Sequence, residues 1–489
     1  MNPPSAPSVV PYQSPGTSQA AEAAVVRKVL WRILPFAIVL YLMNYIDRVN
    51  ISIAKLSMQA DPKLNPGIEE GHLVFTDAVY AAGASIFFIA YFLFEIPSNL
   101  IQEKVGPRRW MARIMISWGL VSMSFMFVRG PTSFNILRFL LGAAEAGFFP
   151  GMILYLSQWI PKGQRARAGA FLLTSTAIAG VIGNPLGGWI LYSARGWGGL
   201  SDWQWLFLIE SIPTIILGVI ILFYLTDAPK DAKWLTSAEK DLLIARLAQE
   251  RQDHPASHTS ELRHALLSPD VWSLGFLYSM LMFGFYTINY WTPSLIKTAL
   301  TTAGAINAST PRHVEYAMLG LLSAIPFGAA AIGMVIIGLH SDRKNERRWH
   351  VAWSAIVGAA GLALAAFSAT LFTGMGGAIA SIVGLSIAAI GIWSTLGPFW
   401  TFPPHLLTGT AAAAGIALVN SLGNLGGGFV GPNVLAWLKK ANDGKDFWGL
   451  MLGSATLIIG AILVICLRTE HTKLSRGFPL DDATEELKS

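Results

Sequence analysis

The sequence predicts an all-α membrane protein with twelve transmembrane helices arranged as two six-helix halves. Three observations carry this expectation. Hydrophobic residues fill 53% of the 489 positions and charged residues only 13%, with a mean hydropathy of +0.49, a balance too apolar for an ordinary soluble domain. Continuous apolar runs of about 20 residues, the helical length that crosses a bilayer core about 30 Å thick, recur along the chain. A charged stretch at 227–269 divides these runs six and six.

In order, the expected spans lie near 30–53, 78–101, 111–129, 133–158, 166–192 and 205–226, then 271–296, 315–338, 349–371, 376–399, 411–436 and 447–467. A membrane β-barrel would instead show alternating segments of about ten residues, and these runs are continuous. The first residues are rich in Pro, Ser and Ala, with no early Lys or Arg, and read as a disordered tail rather than a cleaved signal. The expected organisation is therefore a tail at 1–26, a six-helix bundle at 27–226, a linker at 227–269, a second bundle at 270–467 and a tail at 468–489.

Lysine and arginine counts give an orientation. Segments on the side of the termini hold about 24 of them and those on the other side about 9, which places both termini in the cytoplasm. The final hairpin fits least well, because Lys439, Lys440 and Lys445 fall on the outer side. The net charge of +6 is spread over these short segments rather than gathered into a patch, so nucleic acid is not an expected partner. One cysteine, Cys466, excludes an intramolecular disulfide and any multi-cysteine metal site, and no metal or organic cofactor is expected.

Charges at membrane depth cost about 2.5–3.5 kcal/mol each on insertion scales, so those that persist are functional candidates. They concentrate in the first half. Arg138 and Glu145 stand seven apart in the fourth helix, nearly two turns, and share a face about 10 Å apart along the axis. Asp47 and Arg48 are adjacent in the first helix and point about 100° apart, so one can meet a cavity while the other meets a partner helix. The guanidinium fork matches a carboxylate, so Arg48 and Arg138 imply an anionic substrate. Burial favours the neutral form of an acid and a nearby cation favours the charged form, so an acid beside an arginine couples proton to anion occupancy. The same residues would also serve as a static ion pair, and Asp47 as a packing group. Glu95, Arg113 and Glu210 lie near helix ends and read as scaffold.

The second half offers neutral polar and aromatic groups: Tyr286, Asn289, Tyr290 and Trp291 in the seventh helix, Trp400 after the tenth, and Asn420, Ser421 and Asn424 in the eleventh. Glycine and proline interrupt several spans, as at Gly180 to Gly188 and Gly423 to Pro432, which suits either alternating access or ordinary close helix packing.

The two halves echo one another. Asn99, Glu103, Lys104, Gly106, Arg108 and Arg109 follow the second helix, and Gly338, Asp342, Arg343, Arg347 and Arg348 follow the eighth, Glu103 and Asp342 standing 239 positions apart. Both segments resemble degenerate copies of the G-x-x-x-D-R-x-G-R-R loop of the major facilitator superfamily. That resemblance implies the major facilitator fold, with Glu103, Arg108, Asp342 and Arg343 as a breakable conformational latch; the simpler reading is a topology signal.

Asn44 to Ser52, Arg138 to Gly151 and Gly409 to Asn424 further resemble the anion:cation symporter family, in its branch for tartrate, phthalate, galactonate and aromatic acids. The resemblance covers about 30–470. It implies proton coupling through Asp47 and Glu145, carboxylate contacts from Arg48 and Arg138, and substrate contacts near Tyr45, Tyr91, Trp400 and Asn420, to which the reading of the second half adds Tyr286 and Asn289. The expected activity is proton symport of a small organic carboxylate into the cell across the inner membrane, by a monomer. A uniporter or exchanger without proton coupling is the alternative. A membrane enzyme is disfavoured, because no phosphate loop, HExxH or GxSxG motif occurs.

Overall fold

The computed structural model describes residues 15–67, 73–194, 196–252, 268–403 and 411–467. Among them, eleven helices are long and apolar enough to span a membrane: Ala20–Ala60, Asp77–Val105, Pro107–Phe127, Pro131–Ser157, Ala168–Ser193, Asp202–Tyr224, Pro269–Thr302, Arg312–Lys344, Arg348–Leu371, Gly374–Phe399 and Phe447–Cys466. The eleventh span in chain order, lying before Phe447–Cys466, is composite. It comprises Ala411–Gly423, a π-helical stretch Asn424–Val430, and Gly431–Ala441. The chain is thus a twelve-helix membrane protein, with spans close to the expected positions.

The start of the chain departs from expectation. The first helix begins at Pro15, so residues 15–26 are helical rather than part of a disordered tail. Ala20, Ala21, Ala23 and Ala24 are strong helix formers, Val25 and Val26 are buried, and Glu22 pairs with Arg246 at 3.2 Å. Arg246 belongs to a linker helix, Ser237–Gln252, which also holds Lys28 through Glu239 at 2.8 Å. That hydrogen-bonded ammonium holds the Glu239 carboxyl below the usual glutamate range. The expected tail at 468–489 lies outside the described residues.

The packing repeats between halves with an offset of six. Spans one and five, two and four, and three and six pack together, matched by seven and eleven, eight and ten, and nine and twelve. Between the halves, span five lies on eight and span two on eleven, again a related pair. Where five crosses eight the backbones nearly touch: a Cβ on Gly188 would stand 2.7 Å from the Tyr316 carbonyl and 3.0 Å from the Gly320 Cα. Only glycine permits that approach.

The fourth span is broken at membrane depth. Its first part ends at Glu145, Gly147 turns the chain with φ +87, and the helix resumes at Phe148. Irregular backbone at this depth is tolerated where protein surrounds it, and Ala146 and Glu145 are both buried.

Candidate functional site

The break in the fourth span presents Glu145 at a helix C-terminus, where the partial negative charge of the backbone opposes a carboxylate. Two groups of the first span offset this. Asn44 Nδ2 donates to Glu145 Oε1 at 2.8 Å and Arg48 Nε donates to the same oxygen at 2.6 Å, with a second Arg48 nitrogen also on it. Glu145 is 1% exposed, and Arg48 keeps 12% of its side chain accessible on the cavity side.

That cavity encloses about 460 Å³, counted with its open mouth, between the halves. Tyr41, Tyr45 and Arg48 line it from the first span, at a spacing of four and three residues that puts them on one helix face. Tyr91, Phe149, Leu173 and Thr176 add to the first-half wall. Tyr278, Phe285, Tyr286, Trp400, Asn420 and Asn424 face it from the second half. Arg48 is the one cation in this lining among the described residues, and its guanidinium carbon sits 5.1 Å from the Tyr45 ring and 5.3 Å from the Tyr91 ring. Tyr286 donates from its hydroxyl to Asn424 Oδ1 at 2.8 Å, and Trp400 packs edge-on against Tyr278.

The structure therefore gathers Glu145, Arg48, Tyr45, Tyr91, Tyr286, Trp400 and Asn420 at one cavity. Asp47, Arg138 and Asn289 stand elsewhere. Asp47, 3% exposed, turns to spans three and six, where its Oδ2 accepts from Trp118 Nε1 at 2.6 Å and Thr214 Oγ1 at 3.0 Å. Adjacent positions on a helix cannot face the same way, and Arg48 takes the cavity. Arg138 donates to the Gly83 carbonyl at 3.0 Å, and its guanidinium lies 4.8 Å from the Phe87 ring, against which Arg48 also packs at 5.5 Å. Asn289 spends its amide on the Phe285 carbonyl, one turn back.

The expected latch is reorganised too. Arg108 pairs with Asp227 at 3.5 Å, and Asp342 pairs with Arg347 at 2.6 Å rather than with Arg343. Glu103 and Arg343 are solvent-exposed, with no ion pair among the described residues. Gly106, with φ +93, swings the chain so that Asp227, rather than Glu103, meets the Arg108 side chain and backbone N–H. Neither pair joins one six-helix bundle to the other.

Among the described residues the ion pair that does join the halves, Asp77 with Lys439, sits at the opposite end, away from the linker helix. Lys55, 1% exposed, meets Asp77 at 2.8 Å, and Asp77 also meets Lys439 at 3.4 Å, which continues to Asp446 at 3.1 Å. Lys55 further reaches Ser294 Oγ at 3.3 Å and lies 4.1 Å from the Trp291 ring. Sequence reading counted these lysines only as topology signals. Lys55, a lone cation in the run Ile51 to Met58, was the available clue. Likewise Tyr41 shares a helical face with Tyr45 and Arg48, but no motif marked it.

Comparison with known proteins agrees with this architecture. The Major Facilitator Superfamily pattern matches residues 37–432. The chain belongs to the Major Facilitator Superfamily. It is a membrane transporter and not an enzyme. It is 43% identical over 453 residues to an Agrobacterium vitis protein named for tartrate transport, covering 92% of this chain and 93% of that one. It is 39% identical over 444 residues to NicT of Pseudomonas putida, named a metabolite transport protein, covering 91% and 94%. Its fold resembles that of the xylose transporter XylE from E. coli in a partially occluded inward open conformation, with a TM-score of 0.65 at 13% identity over 90% of this chain and 97% of XylE.

Proposed function

We propose that this transporter carries a small organic carboxylate into the cell by proton symport, across a bacterial inner membrane and with both termini in the cytoplasm. The observation that carries this reading is the Arg48–Glu145 pair, in which a cavity-lining cation is held by a buried carboxylate on a broken helix. While Glu145 is ionised it competes for Arg48. A proton on Glu145 removes the competitor, and the freed fork can take a substrate carboxylate. Tyr45, Tyr91, Tyr286 and Trp400 would then flank the substrate body, and Asn420 and Asn424 its hydroxyl or ring heteroatoms. The relatives named for tartrate and metabolite transport support an organic anion as cargo.

In this reading the Lys55, Asp77, Lys439 and Asp446 cluster and the Gly188–Gly320 crossing close the outer end of the cavity, and their parting accompanies outward opening. Protons are the coupling ion and no cofactor takes part. The packing of Asp47 among neutral donors favours a second reading for that residue, as a positioning group for the first, third and sixth spans. If Glu145 likewise stayed paired throughout the cycle, the protein would be a carboxylate exchanger. Uptake of labelled tartrate, galactonate, phthalate, hydroxybenzoate and hydroxyphenylacetate into proteoliposomes, with and without an inward proton gradient, decides between them. Symport requires that one acid accumulates only with the gradient; uptake indifferent to the gradient refutes it.

A further inference from the structure

Glu95 lies in the second span, one turn beyond the cavity-lining Tyr91, and is 3% exposed. Its carboxylate is held from the other half of the protein. Asn420 Nδ2 donates to Oε1 at 3.2 Å and Ser421 Oγ donates to Oε2 at 3.0 Å, both from the eleventh span. Among the described residues Glu95 has no cation within ion-pair distance. The charged or titratable groups facing it are Arg48 of the first span, which is engaged by Glu145, and Tyr91 on its own helix. Among the described residues the eleventh span meets the Glu95 carboxylate with neutral donors alone.

Neutral donors compensate a buried charge less well than a cation does, so a carboxylate here gains or loses a proton as its surroundings change. Its surroundings must change if the halves part. The two bonds lie on the side of the cavity toward the linker helix, opposite the Lys55 cluster, and both break when spans two and eleven separate there. One of the two donors, Asn420, also lines the cavity.

We propose that Glu95 is a proton-linked gate residue, whose carboxylate closes the linker-side end of the cavity by bonding Asn420 and Ser421 across the two halves and releases them on protonation. A protonated Glu95 accepts these bonds more weakly, so acidification favours opening at this end. Asn420 ties the gate to the cargo, because its amide cannot serve the substrate and Glu95 with the same hydrogens. Glu95 is thus a positioning residue, separate from the Arg48–Glu145 exchange. The inference rests on the alternating-access reading but on no particular substrate.

The test measures a distance and needs no ligand. Cys466→Ser removes the single native cysteine, and spin labels at Lys104→Cys and Lys344→Cys, both exposed at the linker-side ends of spans two and eight, report opening. In lipid nanodiscs, the electron–electron distance distribution shifts to longer separations between pH 8 and pH 5. Glu95→Gln holds the open distribution at both values and abolishes the shift, whereas Glu145→Gln retains it. Ser421→Ala, a milder change, moves the midpoint upward by about one pH unit, since the charged form has lost a donor. A Glu95→Gln protein that keeps the wild-type response, or a wild type whose distances ignore pH, overturns the proposal. Gradient-driven uptake would stand in either case, which keeps failure here distinct from failure of the symport reading.

Discussion

Replacing Glu145 with glutamine tests the central exchange most directly. The substitution keeps the shape at the end of the broken fourth helix and leaves Asn44 an oxygen to bond, but removes the charge that two Arg48 nitrogens share. A hydrogen bond to a charged group contributes about 1.5–3 kcal/mol, so release of even one such bond raises the affinity of Arg48 for an external carboxylate by about tenfold or more at a pH where wild-type Glu145 is ionised. Coupling changes in the opposite sense. With one proton per monoanion, an inward gradient of one pH unit supplies about 1.4 kcal/mol, enough for about tenfold accumulation, and the mutant loses this entirely. Proteoliposome uptake under a pH gradient, with the voltage clamped, reads accumulation; counterflow at equal pH reads exchange. The expected result is accumulation abolished, exchange retained, and binding tighter. A mutant that still concentrates substrate, or that loses exchange along with accumulation while remaining folded, refutes the reasoning.

Other substitutions probe separate parts of the cycle. Arg48→Lys keeps the charge but loses the planar fork, and transport efficiency falls by about 10–100-fold in initial-rate assays, consistent with about 1.5–3 kcal/mol of lost charge-assisted bonding. Lys55→Met removes the buried ammonium that joins Asp77 to Ser294 across the halves, so a thiol reagent applied from outside labels Ser294→Cys several-fold faster in that background, with Cys466→Ser throughout. An unchanged labelling rate would count against the outer closure. Gly188→Val places a side chain where the Tyr316 carbonyl already stands 2.7 Å away, and overpacking of this kind costs about 1–3 kcal/mol, so the same labelling rises and the melting temperature of the purified protein falls.

Much of the architecture was legible in the sequence because lipid imposes a simple rule. A chain in hydrocarbon must bond its own backbone, so each span announces itself as a run of apolar residues, and the charged linker separates the halves. The first helix escaped that rule: residues 15–26 are stabilised by docking of the Ser237–Gln252 helix, a contact to residues far away in the chain. Arg48 and Glu145 were singled out because an ion at membrane depth is costly on its face. Asp47 carries the same cost, yet its helical phase directs it to Trp118 and Thr214.

By itself, then, the sequence determined a membrane transporter of twelve helices and the short roster of charges from which a site could be built. Tertiary structure decided which of those charges share a cavity. The break at Gly147 turns Glu145 to Arg48, Phe87 packs against the guanidinium of Arg138 as well as that of Arg48, and spans two and eleven bring Glu95 to Asn420 and Ser421 across 325 and 326 positions. Local composition records the cost of burying a charge, but its compensation comes from a partner on another helix, and no local pattern specifies which helix that is.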